Sequence, residues 1–313
     1  MDATQPTVKT ANKANKGYVI AVVGVIIWST TAVLIRYLTE HQSVPPLLLA
    51  AWRDLLACLG MAAILGVVNR KLLRISRSQI KFFVFYGLVL AVFNALWTIS
   101  VSLNGAAVSV VLVYSSAAFT ALIAWRLFGE RLSLPKWIAI LASLGGCVLV
   151  GGAYQAEVWQ TNTLGVIAGL LSGLSMTGYS LFGKESARRE ISAWTALTYS
   201  FGIAAVILFA SNLILPELGG ASLTDASLAL KIDATGWGIL VLLALGPTIG
   251  GYGLYTLSMS YLPASVVNLI ATLEPSLTAV QSYLLLGERF TLEQIIGSLL
   301  VVGGVVLLRI YER

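Results

Sequence analysis

Charge is what this chain has least of. Among 313 residues only 11% are Asp, Glu, Lys or Arg, under half the quarter expected of a soluble globular protein. That scarcity excludes a water-soluble fold. A single histidine (His41) and two cysteines (Cys58 and Cys147, both in apolar runs) leave too few soft ligands for a Cys/His metal cluster, and they offer no disulfide framework. No Walker-type phosphate loop, zinc-protease motif or Asp-rich cluster is present, so an energy-coupling or hydrolytic site of those kinds is excluded. No catalytic residue, metal or cofactor is expected.

The chain is instead rich in apolar residues, at 58%, with a mean hydropathy of +0.86. Its 8 Trp and 29 Gly suit membrane interfaces and close helix contacts. Runs of roughly 20 apolar residues mark membrane spans. Ten such runs are expected: Tyr18–Leu38, Leu47–Val68, Ile80–Val101, Ala106–Phe128, Leu134–Gly151, Leu164–Phe182, Ala193–Leu213, Gly236–Tyr261, Ala264–Leu286 and Leu292–Leu308. The first is too long for a cleaved signal and reads as a retained helix. One connection stands out for length, 214–235, with Pro216, Gly219, Gly220, Asp225 and Asp233; it reads as an external loop with some structure of its own.

Lys and Arg placement sets orientation. With the N-terminus inside, 16 of the 20 basic residues fall on cytoplasmic segments, and only Arg36, Arg53, Lys231 and Arg289 fall outside. Both termini are therefore expected in the cytoplasm, in a cell membrane of the bacterial inner-membrane type. The net charge of +6 follows from this bias, and no nucleic-acid partner is expected.

An internal repeat is the strongest pattern. Residues 105–152 and 263–310 align without gaps at an offset of 158, with 15 of 48 pairs identical, including Gly129-Glu130-Arg131 with Gly287-Glu288-Arg289 and Gly145-Gly146 with Gly303-Gly304. Five helices per copy is an odd number, so the second copy enters the membrane from the opposite side. Inverted repeats of this kind are a feature of secondary transporters. The expected fold is all-α and integral to the membrane: ten transmembrane helices in a 5+5 inverted-topology repeat. The division is a tail (1–17), a first repeat (18–152), a linker (153–163), a second repeat (164–309) and a short tail (310–313).

Particular residues point to a family. Trp28-Ser29 in the first span, Leu273-Glu274-Pro275 followed by Leu286-Gly287-Glu288-Arg289, and Gly303-Gly304 together resemble the EamA-type members of the drug/metabolite transporter superfamily over nearly the whole chain. Ser29 stands where the family's opening motif has Gly, and the first repeat has Ser116-Ala117 where the second has Glu274-Pro275. The resemblance implies the ten-helix 5+5 fold and transport of small organic solutes, often amino acids or related metabolites, with many relatives exporting.

Glu274, near the middle of the ninth span, is the outstanding polar residue, because a carboxylate at that depth needs a cavity, a partner or a proton. Thr278 and Gln281 share its face, and Pro275 leaves the Ala271 carbonyl without its usual donor. Glu274 reads either as an ion-coupling group or as a buried structural carboxylate. Trp28, Asn94, Trp97, Tyr114, Tyr179, Tyr252, Tyr255 and Asn268 form the candidate substrate-binding set, since aromatics with polar tips suit an amphipathic solute. The same residues also fit simple interhelical hydrogen bonding. Asn94 and Trp97 recur as Tyr252 and Tyr255 at the repeat offset. Arg36 and Lys184 read as snorkelling residues or anion contacts, Arg53-Asp54 as a mutually neutralising pair, and Glu130 and Glu288 as helix caps.

The expected function is a secondary transporter moving a small organic metabolite, an amino acid or related amphipathic solute, across the cytoplasmic membrane by alternating access. Export is expected over import. Its partners are that solute and the lipid bilayer, with protons and a homodimer left open. A membrane-embedded enzyme, or a non-transporting channel or receptor, is the alternative.

Overall fold

The computed structural model describes residues 8–130, 132–156, 163–215, 223–277, 280 and 291–311. Among these every regular element is helical. Seven helical segments are long and apolar enough to cross a membrane: Pro46–Val68, Arg77–Ser100, Val111–Phe128, Thr163–Arg188, Ala193–Ile214, Ala234–Ser258 and Leu292–Tyr311. Ala14–Trp28, Leu134–Val150 and Ala264–Leu277 are shorter apolar helices. The chain is a helical membrane protein.

Local chemistry explains several helix ends. Ser76 opens one helix with a capping box that includes Gln79. Ser133 accepts from the Lys136 amide just before a proline in the first turn, and Asp233 accepts from the Gly236 amide at 2.7 Å. Each cap satisfies donors that a helix N-terminus leaves unpaired. Gly129 ends another helix at φ 68°, a left-handed conformation that costs a glycine little.

The described apolar helices fall on the expected spans, but several are interrupted. The first is split into α1 (Val8–Trp28) and α2 (Thr31–Glu40). At the break the Ser29 and Thr30 hydroxyls donate to the Ile26 and Ile27 carbonyls, each at 2.8 Å. Such bonds compete with the helical ladder. After α3 (Pro46–Val68), helical residues run from Arg77 to Tyr114 as α4, with no loop at the expected third-to-fourth junction. The chain nevertheless turns back there: the Ser100 and Ser109 hydroxyls lie 2.8 Å apart, whereas nine residues of straight helix would separate them by about 13 Å. The fourth span then breaks at Ser115 and continues as α5 (Ser116–Phe128).

The remaining helices are α6 (Leu134–Val150), α7 (Thr163–Arg188), α8 (Ala193–Ile214), α9 (Ala234–Leu243), α10 (Gly253–Ser258), α11 (Ala264–Ala271) and α12 (Leu292–Tyr311). Between α9 and α10 the helix widens into a π-helical stretch, Ala244–Tyr252, around Pro247. Proline brings no N–H for the Leu243 carbonyl, and the Thr248 hydroxyl donates to that carbonyl instead at 2.8 Å. The ninth span breaks after α11 and is helical again from Glu274. The two breaks match at the repeat offset. Ser115 N–H donates to Leu112 O at 3.2 Å, and Leu273 N–H donates to Ile270 O at 3.0 Å.

Glycines set the closest helix contacts. A Cβ on Gly146 of α6 would meet the Gly297 carbonyl of α12 at 2.5 Å, and one on Gly304 would meet the Ala139 carbonyl at 2.7 Å. These two contacts are also images of each other at the 158 offset. Gly145 and Gly303 face open space, so only one glycine of each expected pair packs closely. Gly169 and Gly173 of α7 are packed against Leu112, with Ser100 beside the first and Ser115 beside the second. The described part of the 214–235 connection folds back on the bundle: Leu223 O accepts from the Leu47 amide at 3.1 Å, and Leu228 O accepts from the Trp52 indole at 3.0 Å.

Candidate functional site

The interrupted helices converge on one cavity. Its wall is built by Trp28 at the end of α1, Thr31 and Ile35 of α2, Arg53 of α3, and Phe93, Asn94 and Trp97 of the first arm of α4. Val113 and Tyr114, Ser116, Met176, Tyr252 and Glu274 complete it. The cavity of ≈ 60 Å³ has room for several waters. It adjoins a second chamber of ≈ 240 Å³ lined by Thr39, Pro46, Leu49, Ala50 and Thr98, with Ile35, Arg53, Asn94 and Trp97 shared between the two. Pro46, Leu49, Ala50 and Arg53 follow the i, i+3, i+4, i+7 spacing of one helix face.

Six of the expected site residues, Trp28, Asn94, Trp97, Tyr114, Tyr252 and Glu274, meet in this lining. The Tyr114 hydroxyl donates a hydrogen bond to Glu274 Oε2. The Trp28 and Tyr252 rings lie 4.4 Å apart between centroids, forming an apolar wall. Asn94 turns its amide to Asp54, donating from Nδ2 to Oδ2 at 2.9 Å.

Tyr179, Tyr255 and Asn268 sit elsewhere, in a buried hydrogen-bonded layer alongside. All three are essentially fully buried and lie outside the lining of either chamber. Asn268 donates to Ser180 at 3.1 Å and accepts from Ser116 at 3.0 Å. Tyr255 hydrogen-bonds Ser180 at 2.7 Å, and Tyr179 hydrogen-bonds Thr256 at 3.1 Å. This layer links α5, α7, α10 and α11, the arrangement expected of interhelical hydrogen bonding. Tyr255 still supports the cavity, because its ring meets Trp28 edge-on at 5.2 Å.

The residue that sequence reasoning underrated is Arg53. It is 5% exposed and Asp54 is fully buried. Arg53 Nε donates to Asp54 Oδ1 at 3.1 Å. Nη2 is the same distance from that oxygen, but out of alignment, and it has no hydrogen-bond partner. The pair does neutralise itself, as expected, yet only Arg53 lines the cavity. The available signal was its depth, two turns inside an apolar span.

Polar contacts tie the helices together at the other end of the bundle. Glu130, at the end of α5, accepts from the Ala264 amide at 2.9 Å and from the Ser265 hydroxyl, so it caps α11. Lys136, 2% exposed, lies 3.5 Å from the same carboxylate. Lys184 Nζ donates to the Met259 and Leu262 carbonyls at 3.0 and 2.9 Å, tying α7 to the turn before α11. This is the end where α1 begins, since Gly17 abuts Tyr261 and Leu262. The second chamber leads the opposite way, toward the α2–α3 connection. Thr278, Gln281, Glu288, Arg289 and the Arg36 side chain lie outside the described part of the structure.

A bundle of apolar helices, broken around a polar cavity and tied together by polar contacts at one end, defines the class: a membrane transport protein. The family follows from the chain itself. The EamA-like transporter family matches it twice, over residues 15–152 and 163–310, and the chain belongs to that family. An uncharacterized transporter of Synechocystis sp. is 31% identical over 229 residues, 72% of this chain and 65% of that protein's length. A probable amino-acid metabolite efflux pump of Escherichia coli is 28% identical over 302 residues, covering 93% of this chain and 94% of the pump. A crystal structure superposes with a TM-score of 0.77 over 96% of this chain and 99% of that one at 19% identity, a likeness of fold.

Proposed function

We propose that this protein is a secondary transporter that exports a small amphipathic metabolite of the amino-acid class across the cytoplasmic membrane by alternating access. The cavity carries this reading, with Glu274 and Arg53 in one wall and aromatic rings between helices that break at the site. Broken helices at a central polar site are how many transporters hold solutes inside the bilayer. The matched breaks at Ser115 and Leu273, and the matched α6–α12 contacts, support two inverted five-helix repeats in a ten-helix bundle. Seven long and three shorter apolar segments fit that count.

The basic bias of the sequence supports cytoplasmic termini. On that orientation the chamber leads outward and Glu130, Lys136 and Lys184 close the cytoplasmic end, which is an outward-facing arrangement. Glu274 serves as the ion-coupling carboxylate, because its buried group shares the cavity with the solute. The name of the Escherichia coli relative supports export of amino-acid metabolites.

Purified protein in liposomes loaded with amino acids, amines and small organic acids tests this, with efflux followed by mass spectrometry under an imposed pH gradient. Selective loss of amino-acid-like solutes over empty liposomes is expected. Release of no component above that background overturns the reading.

A further inference from the structure

Arg53 is a cation fixed in the wall of both chambers, and its ion pair does not use it up. Asp54 stays out of the cavity: it is fully buried, it lines neither chamber, and its oxygens face Arg53 and Asn94 Nδ2. Held this way, the planar guanidinium keeps a rigid orientation and retains donors for a second acceptor. Nη2 lies 3.1 Å from Asp54 Oδ1 but makes no aligned hydrogen bond to it, and the Thr31 hydroxyl in the same cavity wall is also buried without a hydrogen-bond partner. Buried polar groups left in this state are costly in a low-dielectric site. An acceptor-only ligand group with two oxygens would satisfy both.

Charge narrows the ligand further. Among the described residues lining the two chambers, Arg53 is the only basic one and Glu274 the only acidic one. A phosphoryl group carries close to two negative charges and would be undercompensated by a single guanidinium. A carboxylate carries one and matches the fork geometry of Arg. A bare amine would meet Arg53 with like charge and no acceptor. The Glu274 carboxyl accepts from Tyr114 at Oε2, which leaves its other oxygen for a donor such as an ammonium. Much of the rest of the cavity lining, from Trp28, Phe93, Trp97, Val113, Met176 and Tyr252, is apolar or aromatic and suits an apolar side chain.

We propose that Arg53 is the carboxylate-recognition residue of this cavity, and that the transported solute is therefore a zwitterion: an apolar α-amino acid whose carboxylate meets Arg53 and whose ammonium faces Glu274. This deepens the transport reading and rests on it. Asp54 acts through Arg53 as a positioning residue.

Four probes with one side chain separate the charges: leucine, leucinamide, isoamylamine and 4-methylvalerate. Each is offered as counter-substrate for radiolabelled leucine in proteoliposomes. Wild-type protein is expected to prefer leucine by about 30-fold over each analogue, the scale of one charged hydrogen bond. Arg53→Gln combined with Asp54→Asn keeps a neutral hydrogen-bonding pair and leaves no buried charge alone. This variant is expected to lower leucine affinity about 30-fold while leaving isoamylamine within about 3-fold. Retained thermal stability in detergent shows that it folds, and Arg53→Lys provides a charge-conserving check that recovers part of the loss.

Leucinamide or isoamylamine exchanging within about 3-fold of leucine in wild type overturns the carboxylate role and leaves transport standing. 4-Methylvalerate matching leucine overturns the ammonium half of the zwitterion. If none of the four exchanges, the inference is lost, and the mixed-solute efflux measurement then decides whether the transport reading is lost with it.

Discussion

Tyr114 and Glu274 join the two halves of the chain across 160 residues of sequence, the tyrosine hydroxyl donating to the carboxylate at Oε2. Each lies at a helix break, Tyr114 at the end of α4 and Glu274 just beyond α11. The two breaks occupy matching positions in the sequence repeat. The contact therefore couples two interrupted helices at their breaks, and it does so at the cavity wall.

If Glu274 carries the coupling ion, Glu274→Gln keeps the size and the hydrogen bond to Tyr114 but removes the titratable group. Gradient-driven flux is expected to vanish, while solute exchange without a gradient continues at lower affinity, because the solute's ammonium loses its counter-charge. Tyr114→Phe, which removes one hydrogen bond to the carboxylate, is expected to slow gradient-driven flux by about 10-fold. Both are read in proteoliposomes with and without an imposed pH difference. Undiminished gradient-driven flux in the glutamine variant rules out the coupling role.

The apolar runs made the helices legible, because burial in lipid demands long apolar stretches whatever the tertiary detail. The breaks were not legible. Ser29 and Thr30 are tolerated inside apolar helices, and only the path of neighbouring elements decides whether their hydroxyls bend the ladder. The helix faces were partly legible: Asn94 and Trp97 share a face from spacing alone. Which tyrosine meets the cavity depends on helix rotation, set by packing. Tyr252 therefore lines the cavity while Tyr255 and Tyr179 are turned into the buried hydrogen-bonded layer. Arg53 was underrated because its neighbour Asp54 suggested a closed pair, and the amide that draws Asp54 away, Asn94, is 40 positions distant.

The α6–α12 crossing gives a prediction with opposite signs at adjacent residues. A Cβ on Gly146 would collide with the Gly297 carbonyl at 2.5 Å, while one on Gly145 meets nothing within 4 Å. Gly146→Ala is expected to destabilise by about 1–3 kcal/mol through overpacking. Gly145→Ala is expected to stabilise slightly, by about 0.5 kcal/mol, from helix propensity. Thermal unfolding in detergent distinguishes them, and equal effects from both would remove the crossing contact as the cause. Gly304→Ala and Gly303→Ala should behave as a second such pair, since the same geometry recurs there.

Orientation is tested with single cysteines in exposed turns, in a background lacking Cys58 and Cys147. With the termini inside, Ser227→Cys in the long connection is expected to react with a membrane-impermeant maleimide in intact cells. Lys71→Cys, in the turn Arg70–Leu73, is expected to react only after permeabilisation. The reverse labelling pattern would invert the topology and, with it, the outward direction assigned to the chamber.

Glu130 and Lys136 form the most buried charged contact at the closed end, with side chains 9% and 2% exposed and 3.5 Å between charged atoms. Glu130 also caps α11 through the Ala264 amide and the Ser265 hydroxyl, so its loss removes a counter-charge and a helix cap together. Glu130→Gln is expected to destabilise by about 3 kcal/mol, the scale for breaking one partner of a buried pair. Lys136→Met removes the cation but leaves the cap, and is expected to cost less. The double variant removes both charges and should be less destabilised than the sum of the singles, by about 1–2 kcal/mol of coupling. Additive losses would mean that the cap alone, and not the ion pair, holds this end together. If the contact also fastens the cytoplasmic end, Glu130→Gln should make a cysteine placed at Ser265 more reactive to a permeant maleimide at a temperature where the variant is still folded. Unchanged reactivity there would confine Glu130 to a structural role.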